Sequence, residues 1–188
     1  YIARVKGALR ALDLDADRMD VALVQFVSLF RDGAKVSMST RAGSYVTLRE
    51  LRDEDGNDAC RFFYLLRKQD QALDFDLTLA KSESNDNPVY YVQYAHARIC
   101  SVLGQWGGSE AALSGADLTP LTSAHELGLC NKIQSFTDVI GQAAADFAPH
   151  ALAFYLRELD SEFHGWYNAE RLLVDDEAVK RARLALAV

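Results

Sequence analysis

The sequence predicts a mainly α-helical chain, in which a short α/β segment leads into a helical bundle. Three observations carry this. Strand-type sequence is confined to the residues before 46, where Val21 to Phe30 is β-branched and aromatic between Asp20 and Arg31-Asp32-Gly33. Two capping boxes follow, Thr47-Leu48-Arg49-Glu50 and Ser123-Ala124-His125-Glu126, each pairing a hydroxyl cap with a glutamate three residues on. Asn87-Pro88 then places a side-chain cap and a first-turn proline ahead of a long apolar repeat.

In chain order, residues 1–13 carry Ile2, Val5, Leu9 and Leu12 at helical spacing with Arg4, Lys6 and Arg10 between them, which predicts a helix. Val21 to Phe30 reads as a mostly buried strand. Helix then strand is the order found in the last part of an α/β sheet domain. A helix follows Thr47, and a second is expected from Asn57 to about Lys68. Asp74 and Asp76 could pass for paired carboxylates, but no histidine or other base lies nearby. Capping of a helix over Leu77 to Lys81 is their expected role. The helix from Pro88 is expected to run to about Trp106. Gly104, Gly107, Gly108, Gly115 and Pro120 predict a surface loop over 104–120. Further helices are expected at 123–145, 149–168 and 175–188. Cys60, in an apolar helix, reads as a small buried hydrophobe rather than a nucleophile.

With 188 residues, of which 49% are apolar and 25% charged, the chain is long enough for a sizeable core and is not of disordered composition. Its formal net charge of −7 argues against a sequence-blind nucleic-acid coat, while leaving room for a local patch that binds one folded RNA. Neither a membrane nor DNA is an expected partner, because no apolar run approaches the roughly 20 residues of a membrane span and the charge is acidic. Cys60, Cys100 and Cys130 form no Cys-x-x-Cys pair, so neither a disulfide framework nor a zinc knuckle is expected, and no metal ligands are assigned. A reducing cytoplasm is the expected compartment. The chain starts at Tyr1 and stops at Val188 inside a helical pattern, so a piece of a longer protein is expected.

The glycine-bracketed loop Gly33 to Gly43 follows the strand and precedes a capped helix. Its hydroxyls and cations suit a phosphate, since O–H, N–H and ammonium groups all stabilise developing negative charge. A solvated turn is the alternative. Within it, Ser37-Met38-Ser39-Thr40-Arg41 resembles the Lys-Met-Ser-Lys-Ser loop of class I aminoacyl-tRNA synthetases, in the degenerate Met-Ser-Thr-Arg-x-Gly form of arginyl-tRNA synthetases. The resemblance continues in order through Val46-Thr47-Leu48, Asp58-Ala59-Cys60-Arg61-Phe62-Phe63, Leu73-Asp74-Phe75-Asp76-Leu77, Asn87-Pro88-Val89-Tyr90-Tyr91 and Gln93-Tyr94-Ala95-His96-Ala97-Arg98.

That resemblance implies a fold and an activity. Residues 1–76 would be the end of a Rossmann-like catalytic domain with its signature loop at 33–43. Residues 77–188 would be a helical, DALR-type anticodon-binding domain, cut short at its C-terminus. The parent would charge tRNA(Arg) with L-arginine, using ATP as substrate together with Mg2+. This fragment alone would hold none of these small molecules tightly. Lys35, Ser39, Thr40 and Arg41 would serve catalysis by neutralising charge on the leaving pyrophosphate. Met38, Ser39 and Thr40 would contact ATP. Ser37 and Thr40 stand where the general pattern has lysines, leaving Lys35 and Arg41 as the nearby cations. Gln25 matches a family position near the amino-acid pocket, a buried polar core residue being the other reading. The class I site also needs an upstream His-Ile-Gly-His element. None of His96, His125, His150 and His164 has that form, so the chain alone is expected to be inactive.

On the helix from Pro88, Val92, Ile99, Leu103 and Trp106 share one face, with His96 at its edge. Tyr90, Tyr94 and Arg98 align on the opposite face at i, i+4 and i+8. Two aromatics and a cation can stack unpaired bases and hold phosphate; packing against neighbouring helices is the alternative. Leu152, Leu156, Leu159, Phe163 and Trp166 form an apolar stripe that reads as core. The resemblance carries Tyr167, Asn168 and Arg171, just after that stripe, to the anticodon loop. A solvated helix-end cation is the other reading of Arg171. Two rival functions fit the same sequence. One is a helical protein–protein interaction module, and the other a regulatory, truncated synthetase paralogue.

Overall fold

A computed structural model describes all residues except 39–42, 44 and 85. The described elements are α1 (Ile2–Ala11), β1 (Val27–Arg31), β2 (Ala34–Lys35), α2 (Leu48–Asp55), α3 (Asn57–Leu65), β3 (Leu73–Asp76), α4 (Leu77–Lys81), α5 (Pro88–Trp106), α6 (Ala124–Gln134), α7 (Phe136–Ala145), α8 (His150–Ala169) and α9 (Glu177–Ala187). The architecture is mainly α with one three-stranded sheet in the order β2-β1-β3.

The sheet corrects several expectations. Strand β1 begins only at Val27. Residues 21–26 run exposed ahead of it, with Val24 at 77% and Phe26 at 87% exposure, so their β-branched and aromatic side chains find no partner layer among the described residues. The second correction is β3, which pairs parallel to β1 with Val27 opposite Leu73 and Leu29 opposite Phe75. Its alternation of Leu73 and Phe75 inward with Asp74 outward is an ordinary strand signal. Asp76 does cap α4, accepting from the backbone N–H of Thr78 and Leu79 at 2.9 and 3.1 Å, whereas Asp74 belongs to the strand. Gly33, expected to open a loop, instead completes a hairpin turn with Asp32 (φ of 76° and 51°), and β2 pairs antiparallel to β1.

Two core clusters result. One gathers Leu29, Leu51, Cys60, Phe63, Phe75 and Leu77 and extends to Val89. The other joins Ala95 and Val102 of α5 to Leu129, Phe163, Trp166 and Leu184. Helices α5, α6, α7 and α8 pack together, and the capping boxes at Thr47 and Ser123 form as the sequence predicts. The helix expected over 123–145 is broken at Ser135, whose hydroxyl donates to the Lys132 carbonyl at 2.7 Å and so competes with the helical ladder. The helix from Asn57 ends at Leu65 rather than Lys68, closing with a tightened bond from Leu66 N–H to the Phe63 carbonyl. Cys60 is buried, as expected of a small hydrophobe.

Candidate RNA-binding site

Asn87 starts α5 by accepting from the N–H groups of Val89 and Tyr90, and its amide donates back to the carbonyls of Ala80 and Ser82. This double attachment fixes the start of α5 against the end of α4. The stripe Tyr90, Tyr94 and Arg98 then lies along the side where α8 approaches. Tyr90 and Tyr94 have nearly parallel rings, 4° between planes and 6.4 Å between centroids. Tyr94 is 40% exposed, while Tyr90 and Arg98 are half-buried. The stripe is therefore neither fully outward nor entombed.

The end of α8 brings the second predicted group to the same place. The Arg98 guanidinium carbon sits 4.5 Å from the Tyr94 ring centroid and 4.7 Å from that of Tyr167. Such contacts favour a planar, weakly hydrated cation. Arg98 Nη1 donates to Asn168 Oδ1 at 3.2 Å and meets His164 Nδ1 at 3.0 Å, while Nη2 donates to the Tyr94 hydroxyl at 3.3 Å. Three of the five guanidinium N–H donors are thus engaged. Nε has no partner among the described residues, which leaves this edge for an incoming acceptor. Two motifs about seventy residues apart form one cluster of Tyr90, Tyr94, Arg98, Tyr167 and Asn168.

Beneath it lies a feature that sequence reasoning did not assign. His164 and Asp160 are both 4% exposed, on the inner face of α8, with His164 Nε2 3.4 Å from Asp160 Oδ1. The His164 ring packs 4.4 Å from Tyr91 and 5.8 Å from Tyr94. Burial pushes the Asp160 carboxyl up to about 6. Burial, aided by the Arg98 charge and opposed by the Tyr91 backbone, holds the His164 imidazole below its usual range. The Asp160-x-x-x-His164 spacing was the available signal, hidden because the residues between and around it read as an apolar stripe.

Arg171 stands one step off the cluster. It lies past the end of α8, exposed, and lines a shallow hollow with Tyr167, Val102 and Gln105. Its carbonyl accepts from Arg183 Nη1 at 2.6 Å. Arg183 also donates from Nε to Glu126 Oε1 at 2.7 Å and pairs through Nη2 with Glu170. Glu126 is 1% exposed and caps α6 through the N–H groups of Thr122 and Ser123. Burial alone would raise its carboxyl, but the Ser123 N–H, Arg183 and the Thr122 N–H hold it below the usual range. This brace ties α9 to the segment that carries Arg171.

The phosphate-loop candidates lie elsewhere. Lys35 is on β2, opposite Phe30 and exposed. Met38 is 44% exposed and borders a small hollow with Leu29, Val46 and Tyr64. Ser39, Thr40 and Arg41 fall outside the described residues. Gln25 is exposed, not a buried core residue, with its Oε1 accepting from the Phe26 N–H at 3.0 Å. No group of three His, Cys, Asp or Glu able to hold a metal occurs among the described residues. No described helix is long and apolar enough to cross a membrane.

Known proteins resemble this chain over its whole length. The model of the DALR anticodon binding domain matches residues 92–188, which include most of α5 and all of α8. Arginine–tRNA ligase of Azoarcus sp. (strain BH72) is 67% identical over 187 residues, covering 100% of this chain and 32% of that protein. That of Dechloromonas aromatica (strain RCB) is 64% identical with the same coverage. The chain therefore spans about a third of the length of the curated relatives it matches. Among solved structures, a Campylobacter jejuni chain assigned as an arginyl-tRNA synthetase superposes with a TM-score of 0.87 at 31% identity, over 100% of this chain and 42% of that one. Thermus thermophilus arginyl-tRNA synthetase matches 79% of this chain and 25% of its own, with a TM-score of 0.61 at 27% identity. Matched by the family model over more than half of its length, the chain belongs to the DALR anticodon binding domain family and is similar to arginine–tRNA ligases throughout.

Proposed function

We propose that this chain binds the anticodon arm of tRNA(Arg) on the face formed by α5 and the end of α8, as part of an arginine–tRNA ligase. The observation that carries this is the Arg98 guanidinium, placed between Tyr94 and Tyr167 with donor capacity to spare. The exposed Tyr94 ring beside a fixed cation suits splayed loop nucleotides: a base stacks on the aromatic, and a phosphate or base edge takes the free N–H groups. Tyr90, Asn168 and Arg171 extend the same surface. The relatives' names and the matched domain support tRNA as the partner.

In the parent protein, the segment over residues 1–76 would complete the catalytic domain and residues 77–188 would form the anticodon-binding domain. ATP and L-arginine would be the other substrates. Lys35, Ser39, Thr40 and Arg41 would face the leaving pyrophosphate, with Met38 packing near ATP and Gln25 near arginine. Mg2+ would come with the ATP phosphates. The compartment would be the cytoplasm.

The test is a mobility-shift titration of the 188-residue chain with tRNA(Arg) and with a non-cognate tRNA. Preferential binding of tRNA(Arg), weakening as salt rises and lost on Arg98→Ala, is expected. Equal or absent binding of both RNAs would leave a protein-interaction module as the better reading.

A further inference from the structure

We propose that His164 is a positioning residue for Arg98: it holds the guanidinium against the Tyr94–Tyr167 pair through an acceptor at Nδ1, while Asp160 faces the opposite ring nitrogen. This rests on the reading of the α5–α8 face as an RNA-binding surface, and it assigns work to a buried pair that surface does not expose.

The argument begins with valence. A guanidinium has only donors, so the 3.0 Å approach of Arg98 Nη1 to His164 Nδ1 makes that nitrogen the acceptor. The ring proton of neutral His164 therefore resides on Nε2, the nitrogen that faces Asp160 Oδ1 at 3.4 Å without hydrogen-bond geometry. The ring has little room to turn: it is 4% exposed and packed between the Tyr91 and Tyr94 rings on one side and Phe163 on its own helix. Asp160, also 4% exposed, makes no side-chain hydrogen bond among the described residues, and its charge favours the orientation that presents Nε2–H toward it and Nδ1 toward Arg98.

The consequence is a guanidinium fixed from within. Asn168 and the Tyr94 hydroxyl hold Arg98 from exposed positions, where water competes for the same donors. His164 is the one buried acceptor on Arg98 among the described residues, so it favours the guanidinium's place against the two rings over a swing toward solvent. Held there, the guanidinium keeps its remaining donors beside the exposed Tyr94 ring; swung away, it does not.

The experiment has two readouts on the 188-residue chain. First, the imidazole 15N spectrum at neutral pH reports the tautomer without any RNA. An unprotonated Nδ1 with a protonated Nε2 is expected, and an Nδ1–H tautomer would overturn the proposal. Second, binding of a tRNA(Arg) anticodon stem-loop is measured for His164→Leu, His164→Asn, Arg98→Ala and the double variant His164→Leu with Arg98→Ala, each checked for folding by thermal melting. His164→Leu keeps the bulk but removes the acceptor and is expected to weaken binding about tenfold. His164→Asn keeps an oxygen at the same number of bonds from the backbone as Nδ1 and is expected to restore most of the loss. In the Arg98→Ala background, His164→Leu should change nothing further, because the residue acts through Arg98. Losses that multiply independently, or no rescue by asparagine, would mean a purely structural role. A loss in Arg98→Ala with none in His164→Leu would overturn this proposal alone. Unchanged binding in Arg98→Ala would overturn the RNA-binding reading itself, and the positioning role with it.

Discussion

Arg183→Met cuts the brace that ties α9 to α6 and to the segment after α8. The side chain is 15% exposed and serves three acceptors: Glu126 Oε1 at 2.7 Å, the Arg171 carbonyl at 2.6 Å, and Glu170. Methionine keeps the packing of the stem but leaves Glu126, itself 1% exposed, as a buried charge with one oxygen unmatched. Breaking a buried pair from one side costs about 3–5 kcal/mol. Because Glu126 Oε2 keeps the N–H groups of Thr122 and Ser123, the lower end, about 3 kcal/mol, is expected. Urea unfolding at pH 7 measures it as a fall in midpoint with an unchanged slope. The pH dependence supplies a check on cause. Glu126 is held below its usual range in the folded chain, so its contribution is present above the unfolded pKa and is lost as pH falls through the lower folded value. Removing Arg183 raises that folded value, so the deficit of the variant should shrink in acid. Glu126→Gln in the same background should recover part of the loss, since a neutral pair carries no stranded charge. A cost below about 1 kcal/mol, or a deficit unchanged in acid, would refute the brace.

Three further outcomes follow from the same structure. Asp160→Asn should stabilise the chain at pH 8. Burial raises the Asp160 carboxyl to about 6, so ionising it costs folding free energy that grows as pH climbs past the unfolded value and is complete above the folded one. The gain, of order 2–3 kcal/mol, should vanish near pH 4, and a pH-independent gain in thermal melts would contradict it. Arg98→Lys should lose about tenfold in RNA affinity despite keeping the charge, because an ammonium does not lie flat between two rings; affinity equal to the parent chain's would show that charge alone suffices. The isolated chain should not exchange pyrophosphate into ATP in the presence of arginine, since none of its four histidines stands in a His-x-Gly-His element; measurable exchange would sink that reasoning.

What was legible in the sequence was local chemistry. Asn87-Pro88 and the two capping boxes specify helix starts through bonds that span three or four residues, and all three form. Burial and pairing were less legible because they depend on distant partners. Val21 to Phe26 has strand composition but joins the rest of the chain by a single backbone bond, Gln25 N–H to the Gln69 carbonyl, among the described residues, while Leu73–Asp76 became a strand because β1 lies beside it. Ser135 broke a helix through one hydroxyl that composition does not single out. At the site, helical spacing was enough to align Tyr90, Tyr94 and Arg98. Their meeting with Tyr167 and Asn168 is set by the crossing of α5 and α8, which no local rule fixes. The pairing of His164 with Arg98 is illegible for the same reason: on α8 alone His164 and Asp160 are polar residues within an apolar face, and Arg98 arrives from α5.

Chemical footprinting of tRNA(Arg) bound to the chain tests the central claim most directly. Protection confined to the anticodon loop, present with the parent chain and gone with Arg98→Ala, is the outcome this structure requires. Protection elsewhere on the RNA, or an anticodon-loop footprint that survives Arg98→Ala, would contradict it.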